Sequence, residues 1–241
     1  MPPPRPALSL VLPCHNEEKL LPSTLDVVRA WLDASGRTYE VLVSDDSSQD
    51  RTVAIVEQRA AGWPALRLVP AEPHHGKGAA LRRGFRAAAG EYAAFIDADL
   101  EIPIENLGPL LEALDAGADV AIGSKRLGEE ARRRPLARRL ITGGYAAWVR
   151  LCLGSRLSDH QAGVKALRLD RCRPILARTR ADGWSWDTEF LVYAQQERLV
   201  IAERPISTRI VDRASRVDVL RDSLRMASDV LALRRRGVRV R

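Results

Sequence analysis

The chain has 241 residues, 46% of them apolar and 5% aromatic, with a mean hydropathy of −0.20 and a net charge of +7. That suffices for one sizeable core, and no stretch approaches the roughly 18 to 20 consecutive apolar residues that a membrane span needs. The opening "MPPPRPALSLVLP" lacks the charged n-region and cleavage site of a secretory leader, and Cys14, Cys152 and Cys172 form neither a C-x-x-C pair nor an even set. The expectation is a cytoplasmic protein with reduced thiols, no disulfide framework and no zinc site.

The charge is unevenly placed. Residues 125–139 carry +5 and residues 213–241 carry +6, which leaves −4 for the rest. Two basic segments, rather than a basic protein, invite phosphate-rich partners: nucleic acid, anionic head groups or phosphorylated substrates.

In chain order, short β-branched apolar runs read as strands at 7–13, 39–46, 66–70, 92–99 and 119–124. Between them lie helical segments. In 17–34, Leu21, Leu25, Val28 and Leu32 fall on one face, and 52–61, 78–89 and 104–116 have helical length and composition. This alternation predicts a mainly parallel sheet covered by helices on both sides, with ligands at the carboxyl ends of the strands. A long helix follows over 136–153, then the polar loop "SRLSDHQAGVKALR", the aromatic stretch "DGWSWDTEFLVYAQQ" and the apolar run "LVIAERPI". A last helix is expected after the capping box Ser215-x-x-Asp218, with Leu220, Leu224, Ala227 and Leu231 on one face and an Arg-rich tail behind it. The chain thus divides into a catalytic unit, 1–212, and a basic C-terminal helix and tail, 213–241. That helix and tail either lie on an anionic bilayer or dock on the domain.

Several strands end in polar residues. Asp97 and Asp99, two apart on a segment read as extended, point the same way, and Glu101 continues the row. They are either an exposed acidic strand end or oxygen ligands for Mg²⁺ or Mn²⁺ carrying a substrate's phosphates. Asp45 and Asp46 stand where a base or ribose would be held, while Ser48 or Asp50 is placed to cap the helix near Thr52. In "HHGKGAALRRGF", glycines flank Lys77 at a helix start, a place that favours anions, but Gly78 follows the lysine and no Walker motif results. His74, His75 and His160 match no zinc spacing. Arg132, Arg133, Arg134, Arg138 and Arg139 form either a solvated helix face or a clamp for an acceptor phosphate. The low aromatic content and the lack of a nucleic-acid motif weigh against a nucleic-acid-binding module.

Taken in order, "LVLPCHNEEKLLP", "YEVLVSDDSSQDRT", "HGKGAALRRGF", "FIDADLEIP", "IGSKR", "SDHQAGVKALR", "GWSWDTEFL" and "DRASR" resemble the family 2 glycosyltransferases of the GT-A fold. The likeness is to the dolichyl-phosphate β-glucosyltransferase and dolichol-phosphate mannose synthase group, and it runs from residue 10 to residue 216. It implies a three-layer α/β/α sandwich, a nucleotide-sugar donor of the UDP-glucose or GDP-mannose type and a polyprenyl or dolichyl phosphate acceptor. Contact would be with the membrane's cytoplasmic face. A soluble glycan or metabolite acceptor is the alternative. By resemblance, Pro13, His15, Glu17, Asp45, Asp46, Lys77, Asp97, Ala98, Asp99, Lys125, Arg213 and Arg216 bind the donor. Asp97, Asp99 and Glu101 hold the Mg²⁺ or Mn²⁺, and Asp99, Arg126, Arg138 and Arg139 act in transfer. Asp159 with Gln161, Gly163 and Lys165, and Asp187 with Glu189, match two further motifs. Asp159 and Asp187 are the candidate bases should the acceptor be a hydroxyl. His15 stands in place of the usual Tyr, Lys125 in place of a common Arg, and "DDSS" lacks the usual Gly.

Overall fold

Alternate side chains of a strand point to opposite faces of its sheet, and in this chain both faces are apolar. Leu8, Leu10 and Leu12 of β1 (Leu8–Cys14) join one buried cluster while Val11 joins a second. In β4 (Tyr92–Ile96), Tyr92, Ala94 and Ile96 face the first cluster, and Ala93 and Phe95 the second. A strand buried on both faces needs helices on both, as predicted.

A computed structural model describes residues 5–128, 136–209 and 219–240, with the side chains of 136–142 and 219–224 outside the description. Between β1 and β4 come α1 (Leu21–Ala34), β2 (Tyr39–Asp45), α2 (Thr52–Ala60), β3 (Leu66–Val69) and α3 (Lys77–Ala87). A 3₁₀ turn, Ile104–Asn106, leads into α4 (Leu107–Asp115), and then come β5 (Val120–Ser124) and α5 (Leu136–Leu153). β6 (Val164–Arg168), α6 (Leu169–Arg178), α7 (Trp186–Gln196), β7 (Ile201–Pro205) and α8 (Val219–Arg235) complete the chain. The sheet order is β3-β2-β1-β4-β6-β5-β7, parallel throughout except β6, which runs antiparallel to both neighbours. α1, α2 and α4 cover one face; α3, α5, α6, α7 and α8 cover the other. There Trp186 stacks between Phe85 and Phe190, with ring centroids 5.7 and 5.4 Å apart.

The structure differs from the sequence reading at four places. β4 ends at Ile96, because the Leu100 N–H bonds back to the Asp97 carbonyl and Leu100 takes φ +48°; the D-x-D therefore rides a turn instead of an extended strand. The loop read over 155–168 contains β6. The aromatic stretch is a helix, α7, and "LVIAERPI" holds an edge strand, β7. Among the described side chains of α8, Val230 and Leu233 are buried, followed by Val238, whereas Leu231 is exposed, and those of Leu220 and Leu224 lie outside the description. The helix packs on α5 with a face rotated from the expected one, and Trp148 Nε1 donates to the Ala227 carbonyl at 3.3 Å. The capping box and the division at residue 213 lie outside the described residues. No helix among the described residues is long and apolar enough to cross a membrane.

All three cysteines are buried and free; burial, reinforced by Asp119, pushes the Cys172 thiol up to about 12. His160 is buried beneath the 155–163 segment, with Nε2 on Ser155 Oγ at 2.8 Å and no partner for Nδ1. Burial lowers its pKa to about 4. The unfolded chain therefore binds a proton near the ordinary histidine value that the folded chain refuses. Stability is unaffected above that value and falls as the pH drops from about 6.5 towards 4, by up to roughly 3 kcal/mol. His160→Gln, which keeps a partner for Ser155, is expected to flatten the pH dependence of the melting temperature across that window. Parallel curves for variant and parent would refute the assignment.

Candidate functional site

The carboxyl ends of β1, β2, β4 and β5 gather the acidic and basic residues singled out in the sequence. Cys14 pairs in register with Asp45, and the Asp46 N–H donates to the Cys14 carbonyl, so the first two loops leave the sheet side by side. Their local folds are built from short polar side chains. Asp45 accepts from the N–H and hydroxyl of Ser48, with Ser47 at φ +63° between them. Asp50 takes the Thr52 N–H at 2.9 Å and the Glu18 N–H at 3.0 Å, tying the start of α2 to the β1 loop, so Asp50 meets the expected capping position. The Glu17 N–H donates to Thr52 Oγ1, and His15 Nδ1 lies 2.8 Å from the Asp46 carbonyl.

Asp46, expected to hold the donor's base, is extensively bonded within the protein. It is 2% exposed, and its oxygens take the His75 and Gly76 N–H groups, the Arg83 guanidinium (2.7 Å) and His74 Nδ1 (2.8 Å). Burial alone would raise its pKa. The bonds from Arg83 and Gly76 outweigh that and hold it below the usual carboxylate value. Asp46 organises the loop that leads to Lys77, and His15 and His74, ring centroids 4.2 Å apart, pack beside it. Arg83 was not legible as a site residue; its only sequence signal is a place on the glycine-flanked helix that begins at Lys77.

Lys77 is the centre of the cluster. Its ammonium lies 2.5 Å from Asp97 Oδ1, 5.3 Å from the centre of the Phe95 ring and 5.0 Å from that of Trp184. Burial disfavours its charge, but Asp97, Asp187 and Asp99 together raise its pKa, so it stays protonated. On the far side of Asp97, Gly163 leaves no room for a side chain: a Cβ there would come within 2.0 Å of Asp97 Oδ2. Ala98 turns into the core, its carbonyl accepting from Thr24 Oγ1. Asp99 accepts the Glu101 N–H at 3.0 Å. Burial, with Asp97 and Glu101 as negative neighbours, raises its pKa, the mark of a carboxylate short of positive charge.

Glu101 is the third of the residues expected as metal ligands. It pairs with Lys125 Nζ at 3.1 Å. No group of three or more His, Cys, Asp or Glu side chains suited to a metal occurs among the described residues. Asp97 and Asp99 nevertheless fit a hard divalent cation: both offer oxygen, both lie at the rim, and their local charge is incompletely balanced.

Asp159 is the first of the two candidate bases. It is 3% exposed, and its two oxygens accept the N–H groups of Lys125 (3.0 Å) and Gln161 (2.9 Å), clasping the β5 exit to the loop before β6. Asp187, in the first turn of α7, is buried against Lys165 Nζ at 2.6 Å, and that ammonium also donates to the Ala162 carbonyl. Neither carboxylate stands open to an incoming hydroxyl. Glu189, fully buried, accepts the N–H groups of Arg180 and Ala181 and the Arg236 guanidinium. Gln161 donates to Thr188 Oγ1, which shares a 2.7 Å hydrogen bond with Tyr145, and burial raises the Tyr145 pKa. Pro13 sits in β1, and the Arg126 N–H bonds Ser124 Oγ. Arg138, Arg139, Arg213 and Arg216, like Arg132, Arg133 and Arg134, lie outside the described residues or side chains.

Comparison with known proteins agrees with this arrangement. The family described as Glycosyl transferase family 2 matches residues 9–173. Glycosyltransferase AglD of Haloferax volcanii is 33% identical over 227 residues, 93% of this chain but 36% of its own length. The dolichyl-phosphate beta-glucosyltransferases of Dictyostelium discoideum and Saccharomyces cerevisiae are 27% and 28% identical, each across 94% of this chain and 73% and 74% of theirs. The chain thus spans about a third of AglD and about three quarters of the other two. Among solved structures, glucosyl-3-phosphoglycerate synthase from Mycobacterium tuberculosis with UDP aligns with a TM-score of 0.69 at 26% identity, covering 95% of this chain and 80% of that one. Its complex with Mn²⁺, UDP and glucosyl-3-phosphoglycerate gives 0.68 at 27% identity, with the same coverage of each chain. The match across residues 9–173, on a seven-stranded GT-A sheet, establishes that this chain belongs to glycosyl transferase family 2 and is a glycosyltransferase.

Proposed function

We propose that the protein transfers a hexose, with inversion, from a nucleoside-diphosphate sugar to the phosphate of a polyprenyl lipid of the dolichyl type. The observation that carries this reading is the contrast between the acids. Asp97 and Asp99 lie at the rim, with Asp99 short of positive charge, while Asp159 is buried on two backbone N–H groups and Asp187 is buried against Lys165. A phosphate acceptor, with a second pKa near 6, arrives largely ionised and needs no base. The names of the Dictyostelium and yeast relatives support the acceptor class. The Mycobacterium complex with Mn²⁺, UDP-glucose and phosphoglyceric acid supports the donor class and a divalent ion.

In this reading the acceptor oxygen attacks the anomeric carbon, the bond from that carbon to the diphosphate oxygen breaks, and the nucleoside diphosphate leaves with the bonding pair. A divalent cation held by Asp97 and Asp99 supplies neutralisation of the diphosphate charge. Lys77, protonated and fixed on Asp97, orients that carboxylate. Gly163 lets it approach. Lys125 restrains Glu101 beside them. Preorganised charge of this kind acts most strongly where charge develops in the transition state.

A second reading keeps the donor and exchanges the lipid for a soluble phosphorylated acceptor. The likeness to the phosphoglycerate enzyme and the lack of a membrane-crossing helix among the described residues favour it. Incubation of the protein with UDP-glucose or GDP-mannose, Mn²⁺ or Mg²⁺, and either a polyprenyl phosphate or 3-phosphoglycerate separates the two. Glycolipid is expected, abolished by EDTA; product from phosphoglycerate alone would replace the first reading by the second.

Asp97→Asn is expected to lower kcat/KM about 10²- to 10³-fold and, because it takes the nearest negative charge from the buried Lys77 ammonium, to lower the melting temperature as well. Gly163→Ala, which pushes that carboxylate aside, should cost about 10²-fold. Activity within threefold of the parent in either variant would contradict the role given to Asp97. Asp159→Asn should melt earlier yet keep kcat within about threefold, since a clasp holds structure whereas a base carries rate. A loss of about 10³-fold in kcat would restore Asp159 as a base.

A further inference from the structure

Behind the loop that carries Trp184, a cavity of about 400 Å³ is lined by Ala177, Arg178, Arg180, Tyr193 and Arg236. Three of the five lining residues are arginines, and the carboxylates that pair with two of them, Glu197 and Glu189, are not among the lining residues. None of these residues belongs to the Lys77 cluster. The arginines come from different elements: Arg178 ends α6, Arg180 lies in the following loop, and Arg236 follows α8. Arg178 is fixed by stacking 4.4 Å over the Tyr193 ring and by one nitrogen on Glu197, at 2.5 Å. Arg236 is fixed by one nitrogen on Glu189, at 2.7 Å. Arg180 pairs with no carboxylate among the described residues; only its backbone N–H is engaged, on Glu189.

Glu197 and Glu189 each engage only one nitrogen of Arg178 and Arg236, and Arg180 has no carboxylate partner among the described residues, so an anion placed among the three can take N–H donors that remain free. A guanidinium presents five N–H donors in a planar fork that matches the oxygens of a phosphate. We propose that this cavity is a second anion site, taking a phosphate group between Arg178, Arg180 and Arg236, with Tyr193 as its wall. The site has a direct mechanical tie to the first. Glu189 holds the N–H groups of Arg180 and Ala181, and the same loop presses on the turn before Lys77, where a Cβ on Gly76 would meet the Asp182 carbonyl at 2.8 Å. Trp184, two residues further on, covers the Lys77 ammonium.

The test is a titration of inorganic phosphate into the full chain in metal-free buffer, followed by calorimetry, with Arg180→Gln and Lys77→Ala alongside. Arg180 is exposed, so its replacement leaves the core intact. A saturable event weakened about tenfold or more by Arg180→Gln and kept by Lys77→Ala is expected. Absence of any event by about 20 mM phosphate, a range in which a three-arginine site should be filled, would overturn the proposal. So would an event that Lys77→Ala removes and Arg180→Gln spares. Cosedimentation with vesicles of phosphatidylcholine, with or without phosphatidic acid, identifies the source. Capture that needs phosphatidic acid and fails for Arg180→Gln assigns a lipid head group. Phosphate binding without capture assigns a soluble phosphate.

Discussion

One ion pair organises the ligand end of this sheet: Lys77 on Asp97, between the first turn of α3 and the turn that leaves β4. An ammonium largely withdrawn from water is costly unless carboxylates surround it. Here Asp97, Asp187 and Asp99 all act on one lysine and keep it charged. The lysine satisfies Asp97 but leaves Asp99 electrostatically strained, its pKa raised by burial and by its acidic neighbours. A rim with more negative than positive charge, held rigidly by packing, is prepared for a cation that arrives with its own anionic cargo.

The remaining acids do a different job, and burial separates the two kinds. Asp46 and Asp159 are almost wholly enclosed, and each spends its oxygens on backbone N–H groups of neighbouring loops. A carboxylate in that position replaces the hydrogen bonds that strand and helix ladders would otherwise supply, and lets irregular backbone close over a sheet edge. Sequence motifs do not distinguish an acid that receives ligand from one that holds the loop beside it, because both kinds stand at strand ends. Solvent exposure and partner identity do.

The first half of the fold was legible because its signals are local. Alternating apolar runs and the i, i+4, i+7 spacing of Leu21, Leu25 and Val28 are set by strand and helix geometry, and the structure places those elements where the patterns stand. The second half hid its elements for physical reasons. β6 carries a lysine at its centre, and Lys165 is tolerated there only because Asp187, distant in sequence, is brought against it. α7 is buried from Trp186 to Ala194, so no polar face marks a period. α6 contains Pro174, ordinarily a sign against a helix. At the site, the acidic row was readable as a cluster of residue types. The turn at Leu100 is local but carries no glycine or proline to mark it, whereas the pairing of Glu101 with Lys125 and the grip of Arg83 on Asp46 depend on contacts that no short window contains.

The C-terminal charge shows how composition misleads without contacts. The last segment reads either as a basic tail on an anionic surface or as a helix docked on the domain, and its described residues are docked through a few inward side chains. Val230, Leu233 and Val238 join the core that holds Trp186. Arg234 donates to the Leu151 and Cys152 carbonyls at the end of α5, where a cation completes unpaired acceptors and meets the negative end of the helix dipole. Arg236 is taken by the buried Glu189, and Gln196 holds the Gly237 and Arg239 carbonyls. A charge committed to a buried carboxylate adds little to long-range attraction, since each field cancels the other within a few ångströms. The docked segment is therefore better understood as a brace on α7, whose first turn presents Asp187 to Lys165 and whose Glu189 suspends the loop over Lys77. Through that brace the end of the chain bears on the ion pair at the rim of the sheet.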